Sequence, residues 1–66
     1  MNINKLRGKI VENEMNVEAL ASKIGVDRSS LYRKLNNVER ITIGEAVKMK
    51  EALSLTNEEA LEIFLS

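Results

Sequence analysis

The sequence predicts an all-α fold, a compact five-helix arrangement in one domain spanning residues 1–66. Three observations carry this. The chain has no proline and only three glycines, and helix-favouring Ala, Leu, Glu, Lys and Ile dominate it. Apolar residues recur at three- and four-residue spacings instead of alternating. Two capping boxes, Thr42-Ile-Gly-Glu45 and Thr56-Asn-Glu-Glu59, mark helix starts.

The first helix is expected from about Ile3 to Asn13, capped by Asn2, with Ile3, Leu6, Ile10 and Val11 turned inward. Asn16 caps a second helix over Val17 to Ile24, and Met15, just before that cap, can staple onto Leu20. A third covers Arg28 to about Leu35, and Asn36 to Ile41 reads as a polar connection. The Thr42 box opens a fourth helix to Leu53, with Ile43, Ala46, Val47, Met49 and Leu53 available to the core. The Thr56 box opens a fifth to about Leu65, in which Leu61 and Phe64 close the core while Ile63 and Leu65 keep exposed faces.

The junction of helices two and three is the most informative stretch. Gly25 ends the run in which Leu20 and Ile24 are i,i+4 neighbours, and glycine suits the left-handed position just past a helix end. Val26 can pack back under the corner, and Asp27 is a strong N-cap for the third helix. So little chain lies between the helices that they must cross at a large angle. Ala21 is small enough for close approach, although alanine is also simply a good helix former. Leu31 and Leu35 face inward, which turns Arg28, Ser29, Tyr32, Arg33 and Asn36 outward, with Lys34 to the side.

Formal charge is zero, but it is unevenly distributed. Residues 1–40 hold eight cations against five anions, and residues 41–66 hold two against five. This pattern suits a basic face and an acidic back. Without Cys or His there is no disulfide framework, no thiolate site and none of the commonest acid–base catalyst. The carboxylates read as caps and solvated helix residues, and no glycine-rich phosphate loop is present. An enzyme is not expected, nor any cofactor or metal. No apolar run approaches the ~20 residues of a membrane span and no signal-peptide pattern is seen, so a cytoplasmic location is expected.

The stretch Leu20-Ala-Ser-Lys-Ile-Gly-Val-Asp-Arg-Ser-Ser-Leu31 resembles the helix-turn-helix of the Cro/CI-type (lambda-repressor-like, XRE) regulators of bacteria and phages. Leu31-Tyr-Arg-Lys-Leu-Asn36 is similar to the end of the recognition helix in some members. Ile41 to Leu55 and Thr56 to Leu65 are similar to the fourth and fifth helices of that domain. Asn16-Val17 departs from the Thr-Gln of many members: Asn16 can still cap, but Val17 cannot donate the side-chain hydrogen bond that the glutamine gives to a DNA phosphate. Asn36-Asn37 stand where many members have a glycine.

The resemblance implies a sequence-specific DNA-binding regulator, a Cro-like repressor acting as a homodimer on a palindromic duplex operator. Arg28 and Ser29 would enter the major groove, and Tyr32, Arg33 and Lys34 would contact bases or phosphates. Asn36, Asn37 and Arg40 would track the backbone, and the helix start at Asn16 and Val17 would offer N–H groups to a phosphate. Ile63, Phe64 and Leu65 would form the dimer contact. Several have a plainer reading: Arg28 and Lys34 as solvated side chains, Ser29 as a helix starter, Tyr32 as a lid on the core edge, Asn36 as a C-cap and residues 63–65 as a frayed end. Lys5, Arg7 and Lys9 read foremost as a solvated face. The alternative function is a protein-binding module or anti-repressor acting on another regulator, which the zero net charge supports.

Overall fold

The computed structural model describes residues 1–36 and 40–65. Its five helices are α1 (Ile3–Glu12), α2 (Val17–Ile24), α3 (Arg28–Leu35), α4 (Ile43–Ala52) and α5 (Asn57–Phe64), and no strand occurs among these residues. Every start is capped by a side chain that accepts a first-turn N–H: Asn2 from Lys5, Asn16 from Ala19, Asp27 from Ser29, Thr42 from Glu45 and Thr56 from Glu59. Both capping boxes close reciprocally.

Three helix ends share one geometry. The residue just past the end is left-handed at Glu14 (φ 57°), Gly25 (φ 76°) and Ser54 (φ 52°). The next N–H then reaches back to a carbonyl in the last turn, from Met15 to Ile10, Val26 to Ala21 and Leu55 to Lys50, at 2.9–3.0 Å. This is the Schellman arrangement, and the apolar residue that follows each left-handed one packs on the core. Only Gly25 meets the positive φ with the residue best suited to it.

The core contains Leu6 and Ile10 of α1, Leu20, Ala21 and Ile24 of α2, Leu31 and Leu35 of α3, Met49 and Leu53 of the α4 region, Leu55 and Ile63. Val11, expected inside, is 72 % exposed, because the inward stripe of α1 narrows to Leu6 and Ile10. Ile43 (85 % exposed) and Val47 are likewise outside, since α4 seats Met49 and Leu53 instead. In α5 two of the expected roles are exchanged: Ile63 is fully buried and Leu61 is exposed, while Phe64 packs against the core and Leu65 is exposed as expected.

That rotation of α5 follows from how it meets α1. The Asn2 N–H donates to the Ile63 carbonyl at 2.7 Å. Lys5 pairs with Glu62, and Lys9 pairs with both Glu59 and Glu12. The ammonium of Lys9, with the Thr56 N–H, pulls the pKa of the Glu59 carboxyl from 4.5 to about 2. Glu59, then Glu12, raise the pKa of Lys9 in return. The Asn13 side chain donates to the Leu53 carbonyl, joining the ends of α1 and α4.

Two outcomes are expected. Gly25→Ala should cost about 1 kcal/mol in urea unfolding, from backbone strain alone, because nothing lies within 4 Å of the added Cβ. Glu14→Gly and Ser54→Gly should each stabilise by up to ~1 kcal/mol for the converse reason. Secondly, the depressed carboxyl of Glu59 contributes stability that is complete above pH 4.5 and is lost as pH falls toward about 2. Glu59→Gln should flatten that part of the stability–pH curve, as read by thermal melts across it.

Candidate nucleic-acid interface

The corner between α2 and α3 contains only Gly25, Val26 and Asp27. The N–H groups of Gly25 and Val26 satisfy carbonyls at the end of α2, and the Asp27 carboxylate accepts the Ser29 N–H at 3.0 Å. Both helix ends are therefore closed within three residues. Leu31 and Leu35 bury completely against the core shared with α2. The opposite face of α3 presents Arg28, Ser29, Tyr32, Arg33 and Asn36, all exposed, while Ser30 is half-buried. Arg28 is 62 % exposed at its side chain and donates from Nη1 to Glu18 Oε1 at 2.7 Å.

Lys34 departs from expectation. Its side chain is 11 % exposed, and its ammonium donates to Glu45 Oε1 at 3.0 Å and to the Arg40 carbonyl at 3.3 Å. The same Glu45 oxygen accepts the Thr42 N–H that closes the α4 capping box. Burial alone would raise the Glu45 pKa, but the Thr42 N–H and the Lys34 ammonium outweigh it and hold the carboxyl below its ordinary value. Lys34 thus braces α3 against the start of α4 and is not a projecting cation. Its position three residues after Leu31 and one before Leu35 left it at the side of the helix, and only the carboxylate of Glu45 drew it inward.

Asn16 is exposed, with its side-chain oxygen committed to the Ala19 N–H, and Val17 is half-buried against the core. What the start of α2 offers a ligand is therefore backbone N–H and the positive end of the helix. Asn36 does not take the left-handed conformation (φ −94°), and its Oδ1 accepts from Arg7 Nη2 at 3.4 Å. Arg7 is a residue the sequence placed on a solvated face together with Lys5 and Lys9. Those two lysines turn to carboxylates of α5, whereas Arg7 stands beside the end of α3. Arg40 is exposed. Asn37 lies outside the described residues.

On the α4–α5 side, a groove of about 730 Å³ gathers four exposed large hydrophobic side chains, Ile43, Val47, Leu61 and Leu65. Ile43 and Val47 of α4 meet Leu61, Phe64 and Leu65 there, with Arg40 and Lys50 also in the lining. Ile63, expected at a dimer contact, is in the core instead, because α5 turns it toward α1. Among the described residues no helix is long and apolar enough to cross a membrane, and no group of three or more Asp or Glu side chains converges as a metal site.

Two short helices locked by a three-residue corner, the second showing an outward basic face, define a helix-turn-helix domain. The chain matches the family model of the Cro/C1-type HTH DNA-binding domain over residues 5–64, and it belongs to that family of DNA-binding regulators. Comparisons with curated proteins and with solved structures returned no match.

The Lys34–Glu45 pair carries a testable consequence. Lys34→Ala leaves the largely buried Glu45 carboxylate with the Thr42 N–H but without its cation and should destabilise by about 1–3 kcal/mol in urea titration. Lys34→Met removes the same cation but keeps the packing of the aliphatic stem, so it should be destabilised less than Lys34→Ala. Under conditions where circular dichroism shows it folded, it should leave the salt dependence of duplex binding unchanged, whereas loss of a phosphate-contacting lysine would lower the log–log slope by about 0.9.

Proposed function

We propose that this chain is a sequence-specific transcriptional regulator of the Cro-like repressor kind that binds a two-fold symmetric operator as a homodimer. The observation that carries the reading is the outward face of α3, where Arg28, Ser29, Tyr32 and Arg33 lie exposed above a fully buried Leu31–Leu35 underside. Arg28 and Ser29 in the first turn read base edges, with the arginine fork matching guanine O6 and N7. Tyr32 and Arg33 extend the contact along the groove. Asn36, Asn37, Arg40 and Arg7 follow the sugar–phosphate backbone on one side, and the start of α2 at Asn16 and Val17 seats a phosphate on the other. Occupation of a promoter by the bound dimer excludes polymerase.

The dimer contact is the α4–α5 groove, and its occupant is the same face of a second copy. The outward stripe of α5, Leu61 and Leu65, is flanked by the exposed Glu58, with Glu62 beside it already paired with Lys5, while the groove lining contributes Arg40 and Lys50 and no carboxylate. A two-fold axis beside α5 lays each copy's acidic, apolar helix in the other's basic, apolar groove. Phe64 and Leu65 take part, and Ile43 and Val47 supply the α4 wall.

Selection from random duplex DNA is expected to return a palindromic motif with half-sites about one helical turn apart. Arg33→Ala should weaken operator binding about tenfold and reduce the salt slope by about 0.9. In sedimentation equilibrium Leu61→Asp, at an exposed site, should remain folded and shift the chain to monomer. A wild-type monomer that binds half-site and palindrome equally would overturn the dimer. A chain that selects no duplex would overturn the DNA reading.

A further inference from the structure

The ion pair between Arg28 and Glu18 bridges the two helices of the corner at the point where the recognition helix begins. A cation in the first turn of a helix is opposed by the dipole, whereas an anion in that position is favoured. Arg28 and Glu18 occupy those two positions on neighbouring helices, and the carboxylate accepts one guanidinium N–H at 2.7 Å. The guanidinium has five N–H donors, so one bond to Glu18 leaves others for a base. Both side chains are more than half exposed, so the pair adds little to folding. Its effect falls instead on where the guanidinium points.

We propose that Glu18 is a positioning residue that aims Arg28 at a guanine edge and keeps it off the phosphates. The proposal rests on the DNA-binding function proposed for α3. The hydrogen bond orients a long, rotamer-rich side chain before DNA arrives, so less conformational freedom is lost on contact. The carboxylate also sits in the first turn of α2, whose start is the phosphate seat, and there it repels the backbone of any duplex regardless of sequence. The first effect sharpens discrimination and the second lowers sequence-independent affinity. Specificity is a difference of affinities, so both act in the same direction.

The test uses the intact chain on its selected operator, on operators altered at single base pairs and on a scrambled duplex. Fluorescence anisotropy gives Kd and salt slope for the wild type, Glu18→Gln, Glu18→Ala, Arg28→Ala and the Glu18→Ala/Arg28→Ala double variant, with circular dichroism to verify folding. Glutamine keeps an acceptor for Arg28 without the charge. Glu18→Gln is therefore expected to bind scrambled DNA severalfold tighter and to keep the wild-type base preference. Glu18→Ala is expected to lose about fivefold or more in preference at one base pair of each half-site, the scale of one arginine–guanine contact. Its salt slope should steepen by about 0.9 as Arg28 turns to a phosphate. In the Arg28→Ala background, removal of Glu18 should leave base preference unchanged and should only raise affinity for every duplex, scrambled DNA included, because the repelling carboxylate is gone. A Glu18→Ala protein with full base preference, or an equal loss of base preference on removing Glu18 when Arg28 is already absent, overturns the proposal. Failure of the DNA-binding reading looks different: the wild type selects no motif and Arg33→Ala changes nothing.

Discussion

The left-handed turn at Gly25 is the constraint on which the candidate interface depends. It lets the chain close the end of α2 and open α3 within three residues, with backbone N–H groups and one carboxylate meeting the exposed helix ends. Because no slack remains, α3 has one orientation relative to α2. Leu31 and Leu35 are then driven into the core, and Arg28, Ser29, Tyr32 and Arg33 are left on the opposite side. A looser corner would keep the helices but lose the fixed angle, and a recognition helix without a fixed angle cannot present its first turn to a groove.

The ion pairs explain how a chain of zero net charge carries a cationic face. Lys5 and Lys9 neutralise carboxylates of α5, and Lys34 neutralises Glu45. Much of the acidic surplus of residues 41–66 thereby serves as internal glue between α1 and α5 and between α3 and α4. The arginines behave differently. Arg28 and Arg7 lie on or beside α3, in contact with Glu18 and Asn36, and both keep surface toward solvent. Lysine ammoniums act here as compact partners for carboxylates, while the planar guanidinium groups of Arg28 and Arg7 keep surface toward solvent.

Much of the fold was legible because its signals are local. Caps at Asn2, Asn16, Asp27, Thr42 and Thr56 all close as their residue types dictate, and helix boundaries follow from them. The outward face of α3 was legible too, since two leucines four apart leave little choice. Elsewhere the pattern was degenerate. Residues 60, 61, 63, 64 and 65 are all apolar, so α5 has hydrophobic side chains around most of its circumference. In α4 the pair Ile43 and Val47 competes with Met49 and Leu53 at the same helical spacing. Periodicity cannot rank such stripes when each would satisfy it.

What the sequence alone determined was therefore helix number, helix ends and the tight corner, because capping and left-handed turns act within a few residues. What only the tertiary structure decided was which side of α4 and α5 faces inward, and which cations remain available at the surface. Those outcomes depend on contacts far apart along the chain: the Asn2 N–H on Ile63, Lys5 and Lys9 on α5, and Lys34 on Glu45. Once these are made, Ile63 and Lys34 are buried, and the competing stripe of Ile43, Val47, Leu61 and Leu65 is left outside as one apolar groove.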